Sequence, residues 1–148
     1  MSSVPRHTRA ILGLLALLGL PGCATYTQDL ERARRHYQDL EFPQALSVLR
    51  LLGEDYDVLS PAEQVQFAYL RGMTDFRLSE TVPAVGTSRT ELRACSRDWL
   101  QTCFALDTAE GALSSEQITR ARVVLGQLID VEAEPRACLL AELRQTAQ

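Results

Sequence analysis

Lysine is missing from the sequence, and histidine is scarce. All 15 basic residues are arginine, and the two histidines are His7 and His36. Without lysine, the chain has no amine side chain for Schiff-base catalysis, and histidine-dependent catalysis would have to rest on His36. A formal net charge of -4 and a pI near 5.2 provide no basic field for nucleic acid. These absences disfavour enzymes and nucleic-acid-binding proteins and favour a binding or scaffolding protein.

Motifs for catalysis and metal binding are also missing. The chain has no Gly-x-Ser-x-Gly element and no glycine-rich phosphate loop. His36 is conceivable as a general base, but the charged residues around it favour an exposed position on a helix. Glu54, Asp55 and Asp57 form an acidic turn whose spacing does not match a calcium-binding loop, which favours a solvated turn. We therefore predict no catalytic residue, no metal ion and no cofactor.

No apolar run near the amino terminus is long enough to cross a bilayer. The run from Ala10 to Leu20 has eleven residues, too few for a hydrocarbon core of about 30 Å. Arg6 and Arg9 precede it, an arrangement typical of an export signal. The segment Leu20-Pro21-Gly22-Cys23 resembles the lipobox of bacterial lipoproteins, with a branched residue three places before the cysteine and a small residue directly before it.

The lipobox resemblance implies how the amino terminus is processed. A signal peptide of residues 1–22 is removed, the Cys23 thiol receives a diacylglyceryl group, and the new amine is acylated. Ala24 stands where a retention aspartate would keep such a protein in the inner membrane, so the resemblance implies the outer membrane. Ordinary secretion and an uncleaved anchor are the alternatives. Two or three acyl chains bury enough methylene groups to hold the protein on the membrane.

The distance between lipid and fold is predicted to be short. Thr27 is a plausible N-cap, which makes residues 23–27 the lipidated cysteine and its tether. Four extended residues reach about 13 Å, so the domain is expected to lie against the lipid headgroups. Residues 28–148 are predicted to form a single all-α domain.

Helical periodicity and capping signals predict about six helices, and no segment alternates with period two for long enough to form a convincing strand. The predicted third helix carries apolar residues on two sides. This pattern predicts a central helix that packs against neighbours on both flanks. In order, the predicted helices run from Gln28 to Leu40, from Pro43 to Gly53, from the Ser60–Glu63 capping box to about Leu78, after the Ser88–Glu91 box, after Ser114, and from Pro135.

Two of these segments resemble tetratricopeptide helical hairpins. Small and aromatic residues on one helix face aromatic, alanine and aliphatic residues on the next, at Ala33, Tyr37, Phe42, Ala45, Leu46, Leu49 and Leu52, and the pattern begins again at Tyr69, Gly72 and Phe76. Ala33 and Gly72 are 39 positions apart, whereas tetratricopeptide motifs repeat about every 34 residues. The resemblance therefore requires an insertion near residues 54–59. An unrelated helical bundle is the alternative. The resemblance implies antiparallel hairpins whose first helices line a groove, with Arg34, Tyr69, Met73 and Arg77 as candidate partner contacts.

Three cysteines remain once Cys23 is set aside. Cys95 and Cys103 are about 12 Å apart along one predicted helix, too far for a disulfide. If each of the last three predicted helices runs antiparallel to the one before it, Cys138 lies opposite Cys95. A Cys95–Cys138 bridge is therefore predicted, with three buried thiols as the alternative, and Cys103 is expected to stay reduced.

Taken together, these features predict an outer-membrane-anchored lipoprotein of the periplasm that acts as a protein-interaction adaptor or assembly factor. Its expected partners are the membrane, through the lipid, and another envelope protein. A pilotin, a small helical lipoprotein that escorts a secretin, is one alternative. An envelope structural lipoprotein without a dedicated ligand is the other.

Overall fold

The computed structural model describes residues 22–81, 89–107 and 111–131 together with Cys138, and of 22–24 it describes the backbone alone. The described residues form helices and connecting turns, with no strand among them, which confirms the predicted all-α class. The helices are α1 (Gly22–Gln38), α2 (Phe42–Gly53), α3 (Pro61–Thr81), α4 (Arg89–Asp107) and α5 (Ser115–Gln127), with a 3-10 turn at Tyr56–Val58. Apart from Cys138, the predicted sixth helix lies outside the described residues, as does Ser88.

Helix α1 begins earlier than predicted. It starts at Gly22, so residues 23–27, expected to form an extended tether, are helical, and Thr27 lies inside the helix. The Thr27 hydroxyl does not cap α1. Instead it donates a 2.7 Å hydrogen bond to Oε1 of Glu63 on α3. Because its hydroxyl bonds to another helix, Thr27 does not mark the start of α1.

Capping boxes open α3 and α5 as predicted. The Glu63 amide donates to Oγ of Ser60, and the Ser60 amide donates to the Glu63 carboxylate at 3.0 Å. Ser114 and Gln117 exchange the same pair of bonds at the start of α5. In both places the side chains satisfy amide groups that have no partner within the first helical turn.

The turn between α1 and α2 reverses the chain in three residues. Leu40 adopts a left-handed backbone with φ of 63°, and the Glu41 amide donates to the carbonyl of His36 at 2.8 Å. This bond and the left-handed residue complete a Schellman-type helix end. Pro43 then lies in the first turn of α2, where a missing amide donor costs nothing.

Helix α3 is the centre of the fold, as its two-sided apolar pattern predicted. Almost every residue from Val65 to Ser79 is buried, with Arg77 the exposed exception. Helix α4 runs antiparallel to α3, because Phe67 contacts Trp99 near one end and Arg93 lies over the Phe76 ring near the other. The two helices approach closely at Gly72.

Helices α1 and α5 lie on either side of α3 and run in its direction. Gln66, near the start of α3, is a hydrogen-bond partner of Arg34 on α1 at 2.8 Å and of Gln117 on α5 at 3.3 Å. Farther along, Arg77 of α3 lines a common cavity with Tyr37 of α1 and Gln127 of α5. Residues of α1, α3 and α5 line shared cavities, so a groove remains between α1 and α5.

Candidate functional site

The groove follows α3 between α1 and α5, and we call it the α3 groove. Three adjoining cavities make it up, with volumes of about 420, 310 and 490 Å³. The first lies against Gln66 and Tyr69, the second against Met73 and Phe76, and the third at the end of α3. Tyr37 and Arg120 line all three, which makes the cavities parts of one surface.

All four candidate contacts from the sequence line this groove. Arg34 and Tyr69 border the first cavity, Met73 borders the second, and Arg77 borders the second and third. Their exposure differs, however. Tyr69 is 4% exposed and Met73 is 2% exposed, so they form the floor, whereas Arg34 and Arg77 stand on the rim.

Two further groove residues were not among the predicted contacts. Tyr37 was assigned only to the hairpin packing pattern, and Arg120 was not singled out. Arg120, Val123 and Gln127 recur at spacings of three and four on α5, and this shared helix face was the available signal. Local spacing does not show that this face of α5 is turned towards Tyr37 on α1.

The groove arginines are held by acids of their own helices. Arg34 pairs with Glu31 at 3.0 Å, Arg77 pairs with Glu80 at 3.1 Å, and Arg120 pairs with Glu116. Burial opposes the charged form of Arg77, but its hydrogen bond with Tyr37 and the nearby Glu80 carboxylate raise its pKa overall. The Arg77 guanidinium therefore carries a fixed positive charge on the rim.

The floor of the groove is electrically neutral. Burial, with the nearby Tyr37 as a smaller cause, raises the pKa of Tyr69 to about 12, so its phenol keeps its proton. Met73, Phe76 and Val124 supply apolar surface beside it. A neutral floor beneath a rim of arginine–glutamate pairs can take up apolar side chains, and the arginines can bind anionic groups that replace their present partners.

The cysteines lie away from the groove. Cys95 and Cys138, the pair favoured by the sequence, are joined by a disulfide with a Cα–Cα distance of 5.0 Å. Cys103 is a free, buried thiol, and burial raises its pKa to about 12, which suppresses the reactive thiolate.

An acidic side chain accompanies the disulfide. The Asp75 carboxylate lies within 4.8 Å of both sulfurs, a proximity that the sequence spacing does not reveal. Nε of Arg71 donates to Asp75 at 3.1 Å in the core. Because the two sulfurs are bonded to each other, the Asp75 carboxylate is the one group of this cluster left to bind a metal ion. That carboxylate is already paired with the Arg71 guanidinium.

The other residues considered for chemistry lie elsewhere. Nδ1 of His36 is 2.7 Å from the Glu41 carboxylate, at the end of α1. Glu54, Asp55 and Asp57 are exposed around the 3-10 turn. Neither place belongs to the α3 groove.

Among the described helices, none combines the length and apolar character needed to span a membrane. The side chain of Cys23 lies outside the described residues. No protein-family model, no curated protein and no solved structure matches the chain.

Proposed function

We propose that the chain is a lipid-anchored protein of the bacterial outer membrane that serves as an adaptor or assembly factor by binding an envelope protein in the α3 groove. The observation that carries this proposal is the convergence of Arg34, Tyr69, Met73 and Arg77 on one groove. The proposed membrane attachment rests on the lipobox that ends at Cys23.

The proposed architecture is tetratricopeptide-like. In this arrangement α1 and α2 form one hairpin, α3 and α4 form a second, and α5 begins a third that the helix predicted from Pro135, which apart from Cys138 lies outside the described residues, would complete. The parallel course of α1, α3 and α5 supports this proposal, because alternate helices of stacked hairpins run in one direction. The Cys95–Cys138 bridge supports it too, because it ties the segment after α5 to the second hairpin.

Lipidation at Cys23 would orient the groove relative to the membrane. Because α1 begins at Gly22, the acyl chains would be attached within its first turn, without an extended tether. The start of α1, with Thr27 and Glu63 beside it, would then face the lipid headgroups. The opposite end of the groove, at Arg77 and Leu40, would face the periplasm and its proteins.

Two measurements test the proposal. Metabolic labelling with palmitate and membrane fractionation should place the wild-type chain in the outer membrane, and Cys23→Ser should remove both the label and the membrane association. Cross-linking in intact envelopes should then capture a partner with the wild type but not with the variant Arg77→Glu/Arg120→Glu.

The matched control is Arg32→Glu. Arg32 forms an exposed 2.8 Å ion pair with Asp29 on α1 and does not line the described cavities. Capture that survives Arg32→Glu and fails with the groove variant supports the adaptor. Equal capture by all three proteins would contradict it.

The disulfide favours a pilotin-like role as the second candidate, because some pilotin groups share a cysteine bridge as well as small size and helical content. The cross-linking experiment separates the two. A secretin tail among the captured chains indicates the pilotin, and other envelope machinery indicates the adaptor.

A further inference from the structure

The middle of the α3 groove carries two arginines from different helices. Arg77 of α3 and Arg120 of α5 line the same two cavities, and Tyr37 of α1 lines both as well. Their side chains are 46% and 58% exposed. Two guanidinium groups from different helices thus border the same two cavities, beside the Glu80 carboxylate, and both can donate to an anionic group placed there.

The present partners of these arginines are exchangeable. Arg77 pairs with Glu80 and Arg120 with Glu116, in each case within one helix and at the surface, and Arg77 also has a hydrogen bond with Tyr37 of α1. Exposed pairs of this kind contribute little free energy, because water and salt screen them. A carboxylate placed between the two guanidinium groups would meet charge-assisted donors from both walls.

Apolar surface lies on both sides of the arginine pair. In the cavity on one side it comprises Met73, Phe76 and Val123, and Val123 is 57% exposed. Towards the far end it comprises Leu40 and Phe42, and Leu40 is 73% exposed. Along the groove the order is therefore apolar, cationic, apolar.

We propose that the groove binds an amphipathic segment of the partner protein in which one Asp or Glu is flanked on both sides by apolar side chains, with the carboxylate held between Arg77 and Arg120. This inference rests on the proposed function and names the chemistry of the partner. From Gln66 to Thr81 the groove follows about 22 Å of helix, which suits a helical segment of about 15 residues.

The position of the arginine pair argues for a protein segment and against a lipid headgroup. Arg77 and Arg120 lie beyond Gln66, away from the start of α1 where the proposed lipid is attached. A free phosphate would satisfy the arginines but would leave the apolar surface on both sides uncovered. A segment with a central acid matches both features.

The experiment uses two capped, fluorescein-labelled amphipathic peptides of about 15 residues. Their apolar stripe of leucine and alanine is interrupted once, by glutamate in one peptide and by glutamine in the other. Binding to the lipidated full chain in detergent micelles is followed by fluorescence anisotropy. The glutamate peptide should bind at least about tenfold more tightly than the glutamine peptide, as expected for a charge-assisted contact, and added salt should narrow the difference.

Arg77→Gln and Arg120→Gln should each remove most of this preference. Arg32→Gln, which loses the same charge and a comparable ion pair with Asp29, should retain it. Circular dichroism of each variant checks that the helices are intact.

Equal affinity for the two peptides, or the same loss in Arg32→Gln, would overturn the inference. So would concentration-dependent self-association that Arg77→Gln abolishes, because a second copy of the chain would then be the occupant. Competition by inorganic phosphate without any preference between the peptides would point to a headgroup or phosphate site and would also overturn it.

If the inference fails while envelope capture still depends on the groove, the adaptor proposal stands. If capture ignores the groove variants, the proposed function itself fails.

Discussion

At the scale of single residues, Gly72 determines how closely α3 and α4 approach. A Cβ atom there would lie 2.7 Å from Cγ of Leu100 and 3.1 Å from the carbonyl oxygen of Ser96. Gly72→Ala gains helix propensity but forces buried Leu100 and the α4 backbone aside, so we expect a net loss of about 1–2 kcal/mol in the free energy of unfolding. Urea denaturation measures this change.

Gly126 provides the control for Gly72. A Cβ atom at Gly126 of α5 would meet nothing within 4 Å, so Gly126→Ala should stabilise the protein by about 0.5–1 kcal/mol. Stabilisation by both substitutions would contradict the close approach of α3 and α4.

Glu63 makes stability depend on pH. Burial raises the pKa of its carboxyl, but hydrogen bonds from Ser60 and Thr27 outweigh burial and lower it. Because the folded pKa lies below the ordinary value near 4.5, these bonds stabilise the protein above that value, and their contribution disappears as pH falls through the folded pKa. Glu63→Gln should therefore lower Tm at pH 7, and its difference from the wild type should shrink on acidification.

Thr27→Val and Thr27→Ser refine the test of Glu63. The valine variant loses the hydroxyl that donates to Glu63 and should reduce the pH dependence, whereas the serine variant keeps the donor. A Tm difference between the wild type and Glu63→Gln that is the same at pH 7 and pH 3 would contradict the assignment.

At the scale of elements, the left-handed residue in the α1–α2 turn costs stability. Leu40 adopts a φ of 63° and is largely exposed, so Leu40→Gly removes backbone strain while losing little apolar burial. We expect Leu40→Gly to raise the free energy of unfolding by about 0.5–1 kcal/mol in urea denaturation. Leu51→Gly, at an exposed position inside α2, should lower it by about 1 kcal/mol. Destabilisation by both would show that this turn is not strained.

The elements also show how far local sequence reasoning reaches. The boxes at Ser60–Glu63 and Ser114–Gln117 and the end of α2 at Gly53 were predictable, because each depends on residues within one helical turn. The start of α1 was not, because the Thr27 hydroxyl binds Glu63 from another helix. A capping residue and an inter-helix donor look the same in the sequence.

At the scale of the whole molecule, the disulfide connects the segment after α5 to α4. It closes a loop of 43 positions, which on the chain-entropy model stabilises the fold by about 4 kcal/mol. Cys95→Ala/Cys138→Ala should therefore have a much lower Tm than the wild type, and reductant should lower Tm only in the wild type. Alkylation of the unreduced, denatured Cys23→Ser variant should label Cys103 alone, and labelling of three thiols would contradict the bridge.

Short-range patterns in the sequence determined the helical class, the capping boxes and the central role of α3, because the hydrogen bonds and apolar spacing involved span a few residues. The tertiary structure alone decided that Arg120 of α5 faces Tyr37 of α1 across α3, in a groove that it shares with Arg77. These residues are far apart in the chain, and their meeting depends on how three helices pack around one core. Helical periodicity indicates which face of each helix is apolar. Only the packing of the helices determines which helix faces border the same groove.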